Sequence, residues 1–445
     1  MSHVKILLSS LFTLSLTSSL LAACGDDGAS LSPDAGPDPM PMPDAPVQPV
    51  DKCTTQPTAL DPQLAWYGTN RADLIRWLDA AGCKSEGYDP AKKPVATFDW
   101  DNTVSKNDFG DAITFHFIKN GLVKQPTSWA ATSPYLTAAA LTALDTACGV
   151  PTGTGNVPTT TNTVCADEML SIYVNSVTKA GQPAFGGHNA RWIEPSYAWT
   201  AQLLAGYTHA QIQQYMLDAV TPQLAAAEGT TQTIGTTTGL NAWLRIYPQT
   251  KDLIAAVKSR GYDVWIITAS PQDAIAAVSS MAGVAPDHVI GIRSKTDSAG
   301  RLTHKFEGCG PVADDQQQLI SYIQGKRCWI NKVIYGDTTA NAMRKRPDGQ
   351  RQVFAAGDSD TDIEFLKDAT YKLVINRGKK ELMCIAYDNE GDSWRINPMF
   401  IGPRAAATSP YACPTAACKD ENLSNTPCRD QGGNVIPPQN DTVHP

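Results

Sequence analysis

The stretch that decides the fold is residues 94–103, which read PVATFDWDNT. After its proline come four mostly apolar residues, 95–98, a run typical of a short buried strand. The carboxylates of Asp99 and Asp101 follow directly. In open α/β sheets, ligands bind beyond the carboxyl ends of the strands. The stretch therefore predicts a parallel-sheet protein with an acidic site at one edge of the sheet.

Further strands and helices alternate on both sides of a long interruption. A helix over Arg71–Ala81, capped by Asn70 and ended by Gly82, precedes the first strand. The later predicted elements are a helix over Asp252–Arg260 and strands at Val264–Ile267, Val289–Ile292, Val353–Ala356 and Leu373–Ile375. Apolar strands separated by helices indicate an α/β fold, with a Rossmann-like parallel sheet core covered on both faces.

The 445 residues exceed one ordinary compact core, so we expect more than one lobe. Between the first and second strands no comparable apolar run occurs, and Thr208 with Gln211 forms a helix capping box. This interruption is predicted to be a mostly helical inserted cap. The predicted domains are the core, 53–103 and 238–403; the cap, 104–237; and a cysteine-containing tail, 404–445.

The first 24 residues have the pattern of an export signal, with one early lysine, an apolar stretch and the ending Leu-Ala-Ala-Cys24. This ending resembles the lipobox of bacterial lipoproteins, which would make Cys24 the acylated residue; the alternative is ordinary signal cleavage beside an incidental cysteine. Residues 25–52, rich in Pro and Asp, are predicted to be a disordered tether. We therefore expect an exported protein held in the bacterial cell envelope by its lipid anchor only, and Gly25 favours the outer membrane.

Charge and cysteine content narrow the possible partners. A formal net charge of -8, with no basic run, argues against nucleic-acid binding. Besides Cys24 there are ten cysteines, and near neighbours suggest the pairs Cys53–Cys83, Cys148–Cys165 and Cys309–Cys328. Zinc binding is the alternative, but no Cys-x2-Cys pair or suitably placed His supports it.

Polar clusters follow three of the predicted strands: Asp99 to Thr103, Thr268 to Ser270, and Gly357 to Asp362. Carboxylates at one sheet edge suit a hard cation such as Mg²⁺, which neutralises phosphate charge. An Asp can attack phosphorus, and a second carboxyl two residues later can move the protons. Each cluster alone has an ordinary explanation as a solvated turn or a helix cap. Their joint occurrence after buried strands favours catalysis over a structural calcium-binding surface.

The constellation resembles the haloacid dehalogenase-like superfamily, specifically its phosphoserine and phosphorylcholine phosphatase branch. The matching segments are FDWDNT at 98–103, VWIIT at 264–268 and GDSDTD at 357–362. The resemblance implies that Asp99 is the nucleophile and Asp101 the general acid/base. It further implies a phosphate-binding Thr268 and three Mg²⁺ ligands, Asp99, the Asp101 carbonyl and Asp358, supported by Thr103 and Asp362.

The resemblance also calls for a phosphate-binding lysine. Gly325-Lys326 at the start of a predicted helix matches best, and Lys332 and Lys345 are the alternatives. Asp108 and Ala269 are the predicted substrate contacts, although Asp108 is alternatively a plain cap-entry residue.

The phosphorylcholine branch carries an adjacent acidic pair where this chain has Gly110-Asp111, so the choline subsite is only half kept. Four aromatic residues of this region could enclose a quaternary ammonium or simply form core: Trp100, Trp192, Tyr197 and Trp199.

The predicted function is a Mg²⁺-dependent phosphomonoesterase acting through an aspartyl-phosphate on a small phosphorylated metabolite that carries an amino or choline-like group. The alternative is a non-catalytic envelope lipoprotein that binds a phosphorylated or cationic ligand. A protein that only binds its ligand would be free to lose Asp99, Asp101 or Asp358, and all three are present.

Overall fold

The computed structural model describes residues 52–444. The predicted export signal, the lipidation residue Cys24 and residues 25–51 of the predicted tether lie outside this part. Among the helices of the described residues, none has the length and apolar character that crossing a membrane requires.

The elements are numbered in chain order. The strands are β1 Val95–Phe98, β2 Ser105–Lys106, β3 Thr231–Ile234, β4 Thr237–Asn241, β5 Arg245–Ile246, β6 Asp263–Pro271, β7 Val289–Ile292, β8 Ser294–Thr296, β9 Leu302–Phe306, β10 Phe354–Gly357, β11 Tyr371–Asn376, β12 Trp394–Pro398, β13 Cys418–Lys419 and β14 Asn425–Thr426. The helices are α1 Asn70–Ala81, α2 Phe109–Lys119, α3 Trp129–Thr132, α4 Ala138–Cys148, α5 Thr163–Asn175, α6 Pro195–Leu203, α7 His209–Ala225, α8 Pro248–Ser259, α9 Gln272–Val278, α10 Gln324–Val333, α11 Ile363–Asp368 and α12 Lys380–Asp388.

Six strands form the central sheet in the order β12-β11-β10-β1-β6-β7, and every neighbouring pair is parallel. Strand β1 lies inside the sheet, where Phe98 pairs with Ala356 of β10 and Ile266 of β6. All four residues of β1 are buried, as their mostly apolar sequence predicts. The predicted parallel α/β fold with helices around its core is confirmed.

The chain between β1 and β6 forms the inserted lobe. A short antiparallel pair, Ser105–Lys106 with Arg245–Ile246, joins the place where the chain leaves the core to the place where it returns. Between them lie helices α2 to α7 and the hairpin β3–β4. Helix α7 begins with the predicted capping box of Thr208 and Gln211.

One local prediction is wrong. Asn70 is not a helix cap but the first residue of α1; its buried side chain donates to the Ile396 carbonyl at 2.8 Å, which ties α1 to the edge strand β12. The edge strand itself, Trp394–Pro398, has no counterpart among the predicted strands. The Asn70 contact joins residues more than 300 positions apart, and the edge strand has little apolar signal.

Five disulfides staple the described chain. The three predicted pairs, Cys53–Cys83, Cys148–Cys165 and Cys309–Cys328, are confirmed. The other two are Cys384–Cys413 and Cys418–Cys428, and they fasten the C-terminal tail to α12 and to itself. Every cysteine among the described residues is therefore used in a disulfide, which rules out the zinc alternative for them.

Candidate active site

The carboxyl ends of β1 and β10 bring the two predicted acidic loops together around one lysine. Lys326, in the first turn of α10, has no exposed side-chain surface, and its Nζ lies 2.6 Å from Asp99 Oδ1 and 2.6 Å from Asp362 Oδ1. Burial alone would lower the pKa of Lys326, but Asp362 and Asp99 outweigh it and raise that pKa. The lysine is therefore charged, and it holds the two carboxylates in place.

The position of Lys326 distinguishes it from the other two candidate lysines. Lys332 donates to the Gly308 carbonyl at 2.7 Å, and Lys345 contacts the Lys367 carbonyl and Gln431. Neither of them contacts the acidic loops. Of the three candidates, the structure brings only Lys326 to Asp99.

Thr103 and Arg377 complete the surroundings of Asp358. The Thr103 hydroxyl lies 3.2 Å from Asp99 Oδ2 and 3.0 Å from Asp358 Oδ1, so its single proton can be donated to one carboxylate at a time. Arg377 donates to Asp358 Oδ2 at 2.6 Å. Asp362 accepts hydrogen bonds from the backbone N–H groups of Asp358 and Ser359, at 2.9 and 3.0 Å. These bonds fix the shape of the acidic loop.

Asp101 faces a different set of donors from Asp99. Its Oδ1 accepts from the Phe109 backbone N–H at 2.7 Å, and its Oδ2 accepts from Ser270 Oγ at 2.7 Å. Thr268 Oγ1 is farther from the same oxygen, at 3.5 Å, and accepts from the Ser270 backbone N–H at 3.1 Å. Burial raises the pKa of Asp101 well above its ordinary value, and the neighbouring carboxyl of Asp108 adds to the rise.

A cavity opens onto these groups between the sheet edge and the inserted lobe. Asp99, Asp101 and Asp358 lie in its wall on the core side. The predicted substrate contacts, Asp108 and Ala269, both line it. Four predicted site residues, Thr103, Thr268, Lys326 and Asp362, lie behind this surface and are buried.

Asp108 satisfies both interpretations that the sequence left open. It lines the cavity and is also the N-cap of α2, accepting from the Asp111 backbone N–H at 3.0 Å. Asp111, one turn into α2, accepts from the Tyr173 hydroxyl at 2.6 Å. Burial raises the pKa of Asp111 to about 7, and Asp108 contributes to that rise.

The four candidate aromatic residues divide between core and cavity. Trp100 and Trp199 are fully buried in the core, and Trp192 donates to Gln324 at 2.7 Å. Only Tyr197 lines the cavity. For the three tryptophans the core interpretation is thus the correct one.

The lobe and the core supply cavity residues that the sequence did not reveal. They are Tyr173, Thr200, Tyr322 and Arg377. Arg377 had a usable signal, because it follows a predicted strand at the carboxyl edge. The lobe residues had none, since no pattern distinguishes a helical residue that faces a cavity from one that faces the lobe's own core.

The donor set fits the predicted Mg²⁺. Carboxylate oxygens of Asp99, Asp358 and Asp362 lie within 4.8 Å of one another. Burial raises the pKa values of Asp99 and Asp358, and the repulsion between these carboxylates adds to it. Oxygen-only ligands carrying more negative charge than Lys326 and Arg377 neutralise are the kind that a small hard cation binds. Asp99 and Asp358 would hold the ion, which offsets the remaining charge.

Fold and site together define an α/β protein with a lysine-bridged acidic centre at the carboxyl edge of a parallel sheet, beneath an inserted lobe. Residues 236–367 match the model of the haloacid dehalogenase-like hydrolase family. Over these residues the chain is similar to haloacid dehalogenase-like hydrolases, which agrees with the predicted superfamily and the predicted hydrolase class. The matched range includes Thr268, Lys326 and Asp358. No curated protein matches the chain.

Solved structures resemble this fold at low sequence identity. A conserved, functionally unknown protein from Anaerococcus prevotii DSM 20548 is 18% identical, with 76% of this chain and 94% of that chain covered and a TM-score of 0.54. A phosphoserine phosphohydrolase-like protein from Francisella tularensis subsp. tularensis SCHU S4 is 13% identical over 64% of this chain and 87% of that chain, at a TM-score of 0.29. The first resemblance supports the fold, and the second is too distant to add to it.

The acidic centre predicts a measurable response to Mg²⁺. At about ten to a hundred times the dissociation constant, the ion should stabilise the protein by about 1.4–2.7 kcal/mol and raise Tm by roughly 2–3 °C. Differential scanning calorimetry of wild type and Asp358→Asn, with and without MgCl2, checks this. Asp111→Asn is the matched control, because it removes a buried carboxyl outside the cluster and should keep the shift. An equal Tm shift in Asp358→Asn would contradict the site.

Proposed function

We propose that this protein is a Mg²⁺-dependent phosphomonoesterase that acts on a small phosphorylated metabolite through an aspartyl-phosphate on Asp99. The observation that carries the proposal is the fully buried Lys326, whose ammonium lies 2.6 Å from Asp99 and 2.6 Å from Asp362, beside a cavity that reaches Asp99. A buried cation fixed beside a carboxylate suits attack on a phosphoryl group, because it offsets the repulsion between two anions.

In the first step, an Asp99 carboxylate oxygen forms a bond to phosphorus and the bond from phosphorus to the leaving oxygen breaks. Asp101 gives its proton to that leaving oxygen, which departs as an alcohol. The raised pKa of Asp101, caused by burial and then by Asp108, favours the protonated form that this step needs. Asp99 and Asp358 would hold a Mg²⁺ ion, which would supply charge neutralisation for the phosphoryl oxygens.

In the second step, water attacks the phosphorus of the aspartyl-phosphate. Asp101, now ionised, takes a proton from the water, and the bond between phosphorus and Asp99 breaks to release inorganic phosphate. Ser270 and the Phe109 backbone N–H hold the Asp101 carboxyl between the two steps, each at 2.7 Å. Lys326 and Thr268 would stabilise the charge on the transferring group.

The side of the cavity that faces the inserted lobe is the reason to propose an amino or choline-like group on the substrate. Asp108 lines the wall on this side and Asp111 lies one turn into α2, and burial raises the pKa of both. Tyr197 and Tyr322 line the same cavity, and their rings lie 5.9 Å apart in an edge-to-face arrangement. A carboxylate and aromatic rings in one cavity wall together suit a cationic group.

The first prediction concerns the nucleophile. Asp99→Asn keeps the shape of the side chain and one of its two acceptor oxygens but removes the attacking oxygen anion, so phosphate release should fall by at least about a thousandfold. Release of inorganic phosphate with MgCl2 from phosphorylcholine, phosphoserine, phosphoethanolamine and p-nitrophenyl phosphate measures it. Asp89→Asn, an exposed residue near the amino end of β1, is the control and should keep wild-type activity.

Activity that survives Asp99→Asn would contradict the mechanism. Binding of these compounds by the wild type without any release of phosphate would instead favour the alternative, a ligand-binding lipoprotein without catalysis.

The second prediction concerns the amine. Asp108→Asn removes a negative charge but preserves the α2 cap, because Asn and Asp are equally good N-cap residues. We expect KM for phosphorylcholine or phosphoethanolamine to rise about tenfold or more, with little change for p-nitrophenyl phosphate, which has no cationic group. Equal changes in KM for both kinds of substrate would show that Asp108 acts only as a helix cap.

We also propose that Cys24 anchors the enzyme to the envelope through an attached lipid. The five disulfides among the described residues support an exported location, because such bonds persist in oxidising compartments. Cys24→Ser should move the protein from the membrane fraction to the soluble fraction without changing kcat. Detection of an unmodified Cys24 thiol in the mature protein by mass spectrometry would contradict the anchor.

A further inference from the structure

The loop at residues 319–325 supplies the site with two groups at once. Tyr322 lines the cavity, and Lys326, directly after the loop, contacts Asp99. The loop is tightly folded: Ile323 has φ +44°, a left-handed value that is rare for a β-branched residue. At Gly325 an added Cβ would lie 1.7 Å from the Ile320 carbonyl oxygen. Such a conformation persists only where the surroundings hold it.

The core holds this loop from one side. Ser321 Oγ donates to the Thr268 carbonyl at 2.6 Å, and the Ile323 backbone N–H donates to the Thr361 carbonyl at 3.1 Å. These bonds connect the loop to the end of β6 and to the acidic loop after β10.

The inserted lobe holds the loop from the other side, through residues 191–192. The Ile320 backbone N–H donates to the Trp192 carbonyl and the Gln324 backbone N–H donates to the Arg191 carbonyl, both at 3.1 Å. Trp192 Nε1 also donates to Gln324 Oε1 at 2.7 Å. The lobe therefore makes hydrogen bonds to the loop on both sides of Tyr322.

The side chain of Arg191 connects this part of the lobe to the core. Its side chain is 12% exposed, and Nη1 donates to Glu381 Oε1 and Oε2 at 2.9 and 3.0 Å. It also donates to the Lys419 carbonyl at 3.3 Å, in the tail that the last two disulfides staple. Glu364, 3.9 Å from Arg191, pairs with Arg327 at 2.7 Å, and Arg327 is the neighbour of Lys326. The ion pairs thus run from the lobe to the helix that carries the lysine.

We propose that Arg191 is a positioning residue for the phosphoryl-transfer reaction. By joining the lobe to Glu381 it holds residues 319–325, and through them Lys326 and Tyr322, in the geometry that the reaction needs. This inference rests on the proposed function. Arg191 does not line the cavity, so its effect reaches the site indirectly, through this loop and through the Glu364–Arg327 pair.

The test compares Arg191→Met and Arg191→Lys with the matched control Arg260→Met. Arg260 is also a buried arginine in an ion pair, 2% exposed and 2.7 Å from Asp79, but it precedes β6 at the opposite end of the sheet. For p-nitrophenyl phosphate with MgCl2, we expect Arg191→Met to lower kcat about tenfold with KM changed less than threefold. Arg191→Lys should recover part of the loss, and Arg260→Met should lower Tm while keeping kcat per folded molecule.

Hydrogen–deuterium exchange of the full chain gives a second readout that needs no activity. Exchange at the amides of Ile320 and Gln324 should be faster in Arg191→Met than in wild type, and unchanged in Arg260→Met. If Arg191→Met does not fold, Glu381→Gln replaces it and should show the same faster exchange with a smaller loss of kcat.

The outcomes separate the two proposals. Wild-type kcat and wild-type exchange in Arg191→Met, with a Tm loss like that of Arg260→Met, would show that Arg191 only stabilises the fold. An absence of phosphate release by wild type and Arg260→Met alike would overturn the proposed function, and with it the role of Arg191 in the reaction.

Discussion

The arrangement depends on one ion triad, the fully buried ammonium of Lys326 between Asp99 and Asp362. A lysine without contact to water is tolerated only where carboxylates compensate for its lost hydration. The two carboxylates follow neighbouring strands, β1 and β10, whose parallel register pairs Phe98 with Ala356. The triad therefore links both strand ends to the first turn of α10. If β1, β10 or α10 were displaced, the ion triad would separate and leave a buried charge unpaired.

Charge divides the cavity into two halves. On the phosphoryl side, Lys326 and Arg377 face the acidic centre, and Arg377 opposes the rise that burial causes in the pKa of Asp358. On the lobe side, Asp108 and Asp111 have the Tyr173 hydroxyl and backbone N–H groups as hydrogen-bonding partners. A ligand with a negative group at one end and a positive group at the other fits this division. The proposed preference for a substrate with an amino or choline-like group thus rests on charge, without a specific hydrogen-bond pattern.

The sequence predicted what depends on neighbouring residues. Strand β1 and its carboxylates follow from a local apolar run. Gly325-Lys326 could be selected from three lysines because the resembling phosphatases carry a Gly-Lys pair at the start of a helix. Contacts between distant segments could not be predicted. Asn is a common helix-cap residue, yet the side-chain amide of Asn70 donates a hydrogen bond to β12, which lies over 300 residues away. Tyr173 and Tyr197 belong to lobe helices that are buried on several faces, so helical periodicity could not show that these residues face the cavity.

The loop before Lys326 breaks the usual local preferences where the site needs it. Ile323 is β-branched and has a positive φ, and Gly325 is required because the Ile320 carbonyl occupies the space of a Cβ. Natural sequences depart from local preference mainly at functional or strained sites. Here hydrogen bonds from two sides hold the loop in this conformation: one to the acidic loop and others to residues 191–192 of the lobe. Since both the core and the lobe hold the loop that precedes Lys326, the position of the lysine depends on contacts with the lobe as well as on the core.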